Sequence, residues 1–408
     1  MSGALDTLKE RGFVSQCSDE EGLALLLGGE RTTFYIGFDP TGDSLHVGHL
    51  QQLMAMAQLQ HAGHRPIALV GGGTARIGDP SGKSEMRKIL PVETIAANGE
   101  VFRRQMSRFL DFSEGKALLL DNAEWLAPLN YIEFLRDIGR HFSVNRMLTF
   151  EAYKMRLETG LSFIEFNYQL LQSYDYLVLF RKHGCRLQMG GDDQWGNIVA
   201  GMDLIRRVDG GEAFALTSPL VTRSDGKKMG KTETGALFLD AKQTSPYDFH
   251  QYWVNVPDAD AEKFLLRFTF LPVAEIRGRC AHRDQRINEA KRVLARELTT
   301  IVHGADEARR AEEAANAAFG GGADLSSLPT LEVTEVELAA SLTVIDAIVR
   351  SGLCGTKSEA RRLIEQGGAA VNGEKVAAID AKIERAMFTD GALVLQAGKK
   401  KHRRVVLT

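Results

Sequence analysis

A chain of 408 residues is too long for one hydrophobic core and predicts two or three domains. With 44% hydrophobic residues, a mean hydropathy of -0.17 and a formal charge of -3, it reads as a folded globular protein and not as a disordered or fibrous one. No uninterrupted apolar run reaches about 18 residues, and Asp6, Lys9, Glu10 and Arg11 stand where a signal peptide would need an apolar core. The cytoplasm is therefore the expected location, with no membrane partner. Cys17, Cys185, Cys280 and Cys354 are scattered without a Cys-x-x-Cys pair, which argues against a disulfide framework and against a structural metal.

Thr32 to Gly37 reads as a buried strand, and from Leu45 onward Leu50, Leu53, Met54, Met56 and Leu59 follow the 3.6 period of a helix. His46 and His49 then face the same way in the first turn. Unpaired N–H groups and the positive dipole end make such a turn attractive to triphosphate oxygens, and Gly48 leaves room for an adenine ring. Taken alone, His-x-x-His favours a surface pair of histidines or a metal clip. The preceding Gly37-Phe38-Asp39-Pro40-Thr41 turn and the lack of further zinc-spaced ligands favour phosphate.

Pro66 to Val70 predicts a second strand. The Gly71-Gly72-Gly73 after it is not a dinucleotide fingerprint, because Arg76 occupies the last glycine's place. Nor is Gly78 to Ser84 a Walker A loop, since Ile77 stands where the first glycine is required. A more helical stretch, about 121–163, interrupts the alternation of strands and helices. Within it Phe134, Leu135, Ile138 and Phe142 could form an interface or belong to the chain's own core. Glu165 to Val178 predicts a helix with Tyr168, Gln172 and Asp175 on one face at i, i+4 and i+7, a pattern that an ordinary amphipathic helix shares. Cys185 to Met189 reads as a strand leading into Gly190-Gly191-Asp192-Asp193-Gln194-Trp195-Gly196-Asn197, a glycine turn with a tryptophan expected to be buried.

From about Thr32 to Leu220 the order of elements predicts a doubly wound α/β domain on a parallel sheet, with ligands beyond the carboxyl ends of the strands. Lys228-Met229-Gly230-Lys231-Thr232 follows Ser224-Asp225-Gly226 as a loop whose lysines could close over a triphosphate or simply face water. Ser245 to Phe319 is helical, and the glycines after Phe319 open a linker expected over 320–341. Residues 342–408 hold 12 Lys and Arg against 7 Asp and Glu, a basic module on an acidic remainder, which suggests nucleic acid.

These motifs resemble the class I aminoacyl-tRNA synthetases: His46-Val47-Gly48-His49 matches the HIGH signature, and Lys228 to Thr232 matches KMSKS with departures at Gly230 and Thr232. The remaining positions resemble the bacterial tyrosyl-tRNA synthetase family, and Lys357 to Ile364 with Gly367 to Lys375 resembles the S4 RNA-binding domain. The resemblance implies a Rossmann-like catalytic domain over 1–222, its 121–163 insertion forming a dimer interface, and the KMSKS loop with an α-helical domain over 223–319. The linker at 320–341 and a small α+β S4-like domain at 342–408 complete the expectation.

It further implies activation of L-tyrosine by ATP with Mg2+, transfer of the tyrosyl group to tRNA(Tyr), and a homodimer. Thr41, His46, His49, Lys83, Arg87, Lys228 and Lys231 would be catalytic. Tyr35, Asp79, Tyr168, Gln172, Asp175 and Gln194 would bind tyrosine, with Tyr168 and Gln172 near its amino group and Asp175 and Tyr35 at its phenol. Gly37, Asp39, Gly48, His49, Gly191, Asp193 and Lys231 would bind ATP. Arg361, Arg362, Lys375, Lys399, Lys400, Lys401, Arg403 and Arg404 would contact RNA. Two rivals stay open at this stage: a tryptophanyl relative on the same core, and an RNA-binding scaffold with altered catalysis.

Overall fold

The computed structural model describes the chain except residues 1–2, 83–84, 223, 225–228, 233–234, 283, 321–327 and 399–400. Lys83, Lys228, Lys399 and Lys400 thus lie outside the described residues. The chain divides into two compact units, Met1–Met229 with Glu262–Ala281, and Gly230–Ala261 with His282–Thr408.

The first unit is built on six strands: β1 (Gln16–Cys17), β2 (Thr33–Phe38), β3 (Arg65–Val70), β4 (Leu118–Asp121), β5 (Cys185–Gly191) and β6 (Phe214–Ser218). They lie in the order β1-β6-β5-β2-β3-β4, parallel except for β1 against β6. Phe34, Tyr35, Ile36 and Phe38 are all buried, as expected of a parallel strand covered on both faces. Because β2 pairs with β3 on one side and β5 on the other, the winding reverses there. A crevice opens at such a point beyond the carboxyl ends, where Gly37 and Gly191 stand.

Two helices frame that crevice. Val47–His61 buries Leu50, Leu53, Met54, Met56 and Leu59, the residues whose period announced it. Phe163–His183 runs longer than its periodic segment because its ends are chemically fixed. Ser162 and Glu165 cap the start reciprocally, and Gly184 ends the helix at φ 63°.

Phe134 and Ile138, weighed as interface residues, are instead part of a core with Tyr35, Tyr153, Tyr176 and Leu177, and Phe142 packs against it. The insertion therefore uses its regular apolar positions to hold itself to the sheet domain. Arg156, on the helix Glu151–Thr159, adds a buried ion pair: its Nε and Nη2 donate to Glu165 at 3.1 Å each. Burial would raise the Glu165 carboxyl, but Arg156 and the Ser162 donors hold it below the ordinary glutamate range. The residues left exposed on this segment include Ile132, Val144, Leu157 and Phe163.

The second unit begins with a short hairpin, β7 (Lys231–Thr232) and β8 (Gly235–Ala236), followed by the helices Pro246–Val254, Ile287–His303 and Ala305–Gly320. A five-stranded sheet comes next, from β9 (Thr330–Val333), β10 (Ala369–Val371), β11 (Glu374–Lys375), β12 (Ala392–Ala397) and β13 (Lys401–Leu407), in the order β11-β10-β12-β13-β9. The Asn372-Gly373 pair turns the β10–β11 hairpin with positive φ at both residues.

Two features differ from the sequence reading. Much of the segment expected to be a linker is ordered, as β9 and a short helix Glu335–Ala339, because β9 closes the open edge of β13. The basic residues 401–404, expected to contact RNA, start a strand that pairs with β12 and, from Arg404 on, with β9.

Candidate active site

One end of the crevice is set by the start of the helix Val47–His61. His46 is its N-cap, and the His46 Nδ1 accepts the Gly48 N–H at 2.9 Å. His49, three residues on, accepts the His46 backbone N–H at its own Nδ1 at 3.1 Å, and the two rings lie 4.0 Å apart. A neutral imidazole that accepts at Nδ1 must carry its proton on Nε2. The cap therefore fixes the tautomer of both rings. Burial, helped by the neighbouring His46 and Arg87, drives His49 down to about 3, so it is neutral at physiological pH.

A Cβ at Gly48 would fall 2.6 Å from the His46 ring. The glycine thus makes room for the histidine, a nearer reason than the adenine clearance expected from sequence. Thr41 and Gly37 are exposed beside this turn. Arg87 is fixed by its Nε, which donates to the Asp79 carbonyl at 2.9 Å.

The opposite end of the crevice is polar and dry. Asp175 is buried, and it accepts from Asn122 Nδ2 at 2.8 Å and from Trp125 Nε1 at 2.7 Å. Burial outweighs both donors and pushes its carboxyl up to about 8. Tyr35 is 1% exposed, its ring meets Tyr176 edge-on, and its hydroxyl has no hydrogen-bond partner among the described residues. The Asp175 charge adds to burial in raising the Tyr35 phenol, which places the two in one electrostatic field. Gln172, one turn before Asp175 on the same helix, is half-buried.

Between the two ends lies a carboxylate group. Asp39, expected on the nucleotide side, accepts from Tyr168 Oη at 2.9 Å and from Thr74 Oγ1 at 2.7 Å, and so keeps company with the residues assigned to the amino group. Burial raises it to about 6, against those two hydrogen bonds. Asn122 closes the chain of contacts: its Nδ2 also donates to Thr74 Oγ1 at 2.9 Å, and its Oδ1 accepts the Gly73 N–H at 2.7 Å. A Cβ at Gly71 would sit 1.9 Å from Asp39 Oδ1. The three glycines that are no dinucleotide fingerprint here let the end of β3 approach Asp39 and Asn122.

Asp79 and Gln194 are brought together as expected, with Gln194 Nε2 donating to Asp79 Oδ2 at 2.6 Å. Asn197 Nδ2 reaches Asp79, Ser81 and Gln194, so the glycine-rich turn serves as a scaffold for Asp79. Asp193 is exposed next to Gly191, and Trp195 is half-buried.

Sequence reasoning passed over Thr74, Asn122, Trp125 and Gln188. Only Gln188 carried a signal, as an amide inside an apolar strand; it pairs in register with Tyr35, is 2% exposed, and its Oε1 has no partner among the described residues. The other three matter through contacts that bring together positions about 50 residues apart.

In the C-terminal sheet domain, Arg361 and Arg362 are exposed on the helix Lys357–Glu365, and Lys375 is exposed on β11. Lys401 is exposed on β13 and Arg404 is half-buried. Arg403 departs from the expectation of a phosphate contact: both its Nη groups are engaged by Asp248, at 2.9 Å each. Lys231 falls in the β7 hairpin. Among the described residues no group of three or more His, Cys, Asp or Glu is placed to hold a metal ion, and no helix is long and apolar enough to cross a membrane.

Comparison with known proteins agrees with this geometry. The family described as "tRNA synthetases class I (W and Y)" matches residues 28–320, and the "Tyrosine--tRNA ligase SYY-like C-terminal domain" matches residues 324–405. The tyrosine--tRNA ligase of Clostridium tetani is 54% identical over 406 residues, covering 100% of this chain and 99% of the relative. That of Acetivibrio thermocellus is 54% identical over 407 residues, with 100% of each chain covered. Among solved structures, a C-terminally truncated mitochondrial tyrosyl-tRNA synthetase from Aspergillus nidulans superposes with a TM-score of 0.69 at 30% identity, covering 76% of this chain and 92% of its own. With a family match over most of its length and relatives at this identity from end to end, the chain belongs to the tyrosine--tRNA ligases of the class I tRNA synthetases.

Proposed function

We propose that the crevice performs the two steps of tyrosine--tRNA ligation with the following division of labour. The observation that carries it is the dry pair of Asp175, held by two donors, and Tyr35, whose buried hydroxyl has none among the described residues. The substrate phenol donates to an oxygen of the Asp175 carboxyl and accepts from the Tyr35 hydroxyl. Phenylalanine does neither and leaves buried groups unpaired at a cost of about 1–3 kcal/mol each. An indole N–H donates but cannot accept, which disfavours tryptophan on the same core.

Gln172 and Tyr168 hold the amino group, Asp39 joins them, and Asp79 with Gln194 orients the ends of the amino acid. The tyrosine carboxylate then attacks the α-phosphorus of ATP, the bond to pyrophosphate breaks, and tyrosyl-adenylate forms without a covalent enzyme intermediate. His46 and His49 donate through Nε2–H, and Thr41 through its hydroxyl, to phosphate oxygens, while Lys83, Arg87, Lys228 and Lys231 neutralise charge that develops on the leaving pyrophosphate. Mg2+ enters on the triphosphate and shares in that neutralisation. Gly37, Gly48 and Gly191 let the nucleotide approach the backbone, and Asp193 meets the ribose. In the second step a 3′-terminal ribose hydroxyl of tRNA attacks the acyl carbon and AMP leaves.

Arg361, Arg362, Lys375, Lys399, Lys400, Lys401 and Arg404 supply phosphate contacts to tRNA(Tyr). Exposed Ile132, Val144, Leu157 and Phe163 on the 121–163 insertion support a homodimer through that face. We place the protein in the cytoplasm, and we read 1–222 as catalytic, 223–319 as the loop and helical domain, and 342–408, with β9 joined to it, as the RNA-binding domain.

ATP–pyrophosphate exchange with tyrosine, phenylalanine and tryptophan tests this reading. Exchange with tyrosine alone is expected, and equal exchange with tryptophan would overturn it. His46→Asn keeps a side chain able to cap the helix but lacks the imidazole donor. We expect it to fold normally, bind tyrosine almost unchanged and lose roughly 10²-fold in the rate of adenylate formation; a large loss of tyrosine affinity would contradict the assignment.

Asp39 gives a pH dependence. Its carboxyl ionises at about 6 in the free site, and a tyrosine ammonium beside it favours the ionised form. Tyrosine affinity is then full above that pH and falls below it, as binding must expel the Asp39 proton. The dissociation constant at pH 5 should be several-fold weaker than at pH 7.5 in the native chain and flat in Asp39→Asn; equal slopes in both would remove Asp39 from the amino-group site.

A further inference from the structure

We propose that Arg403 is a positioning residue for the tRNA step, acting through an ion pair with Asp248 that fixes the C-terminal sheet against the helix Pro246–Val254. Arg403 sits on β13 opposite Leu395 of β12. Its Nη1 and Nη2 each donate to one oxygen of Asp248 at 2.9 Å, in the parallel fork that makes guanidinium–carboxylate pairs directional. The same side chain donates from Nε to the Ser351 carbonyl at 2.9 Å and from Nη1 to the His402 carbonyl at 3.0 Å. One guanidinium thereby joins β13, the C-cap of the helix Val344–Arg350, and the helix Pro246–Val254.

The partner is held as firmly. Asp248 lies in the first turn of its helix, where the dipole favours negative charge, and its Oδ2 accepts from Ser245 Oγ at 2.9 Å. The Arg403 side chain is only 13% exposed, so this pair is screened less than a surface one. Beside it runs a small apolar seam in which Tyr247, Ala314, Ala315 and Leu328 are buried and Val394 of β12 packs against them. So few apolar side chains give adhesion without a unique angle. The fork supplies the angle.

Arg361, Arg362 and Lys375 ride on the domain that this contact orients, so their place relative to the helical segment depends on it. Loosening the fork should leave amino-acid activation alone and weaken productive engagement of tRNA. This rests on the ligase reading, and the two arms of the test separate them: pyrophosphate exchange reports on activation, aminoacylation on the latch.

The experiment compares Asp248→Asn, Arg403→Met and the conservative Asp248→Glu in the full-length chain. Exchange should stay within about twofold of the native rate in all three. In aminoacylation the KM for tRNA should rise roughly tenfold in the first two with kcat within about twofold, and Asp248→Glu, which keeps the charge, should recover most of the loss. Unchanged KM for tRNA in both disrupting variants would overturn the proposal. So would a parallel fall in exchange and aminoacylation, or a failure of Asp248→Glu to improve on Asp248→Asn, since either points to a general structural effect.

Discussion

Keeping a carboxyl dry is the constraint around which the amino-acid end of the crevice is built. Asp175 is buried deeply enough that its carboxyl rises to about 8, and Asn122 and Trp125 are the donors that make the buried site tolerable. Asn122 is itself held by the turn after β3, whose Gly73 N–H it accepts and which has glycine at 71, 72 and 73. The same turn places Thr74 on Asp39, and Asp39 receives the Tyr168 hydroxyl. A single hydrogen-bonded chain thus runs from Asp175 through Asn122 and Thr74 to Asp39 and Tyr168.

The histidine end of the crevice is organised differently, by backbone geometry in place of side-chain charge. Capping by His46 satisfies helix N–H groups and at the same moment sets the tautomers of His46 and His49. Neither ring needs to be charged to donate, and the buried His49 is not. This suits a reaction in which the attacking group and the site of attack are both anionic and negative charge moves to the leaving group.

Much of this was legible in the sequence, and the reason is local. His46, Gly48 and His49 lie in one turn; Tyr168, Gln172 and Asp175 follow helical spacing; the capping residues Ser162 and Gly184 only extended a helix already visible. What escaped was non-local. Asn122, Trp125 and Thr74 carry no periodic or motif signal, and their importance arises because a sheet strand and an inserted segment return to the same place. In the basic run at 401–404 charge pattern alone could not show that Arg403 is taken up by Asp248 within a strand.

The account stands or falls on whether the Asp175 hydrogen-bond set reads the phenol, and Trp125→Phe tests it most directly because it removes one donor to the carboxyl while keeping an aromatic side chain. The measurement is the ratio of kcat/KM for tyrosine over phenylalanine in pyrophosphate exchange. With the carboxyl largely protonated near neutral pH, a hydrogen bond in this set is worth about 0.5–1.5 kcal/mol, so the ratio should fall by roughly two- to tenfold, chiefly through tyrosine. A ratio equal to that of the native chain would contradict the account.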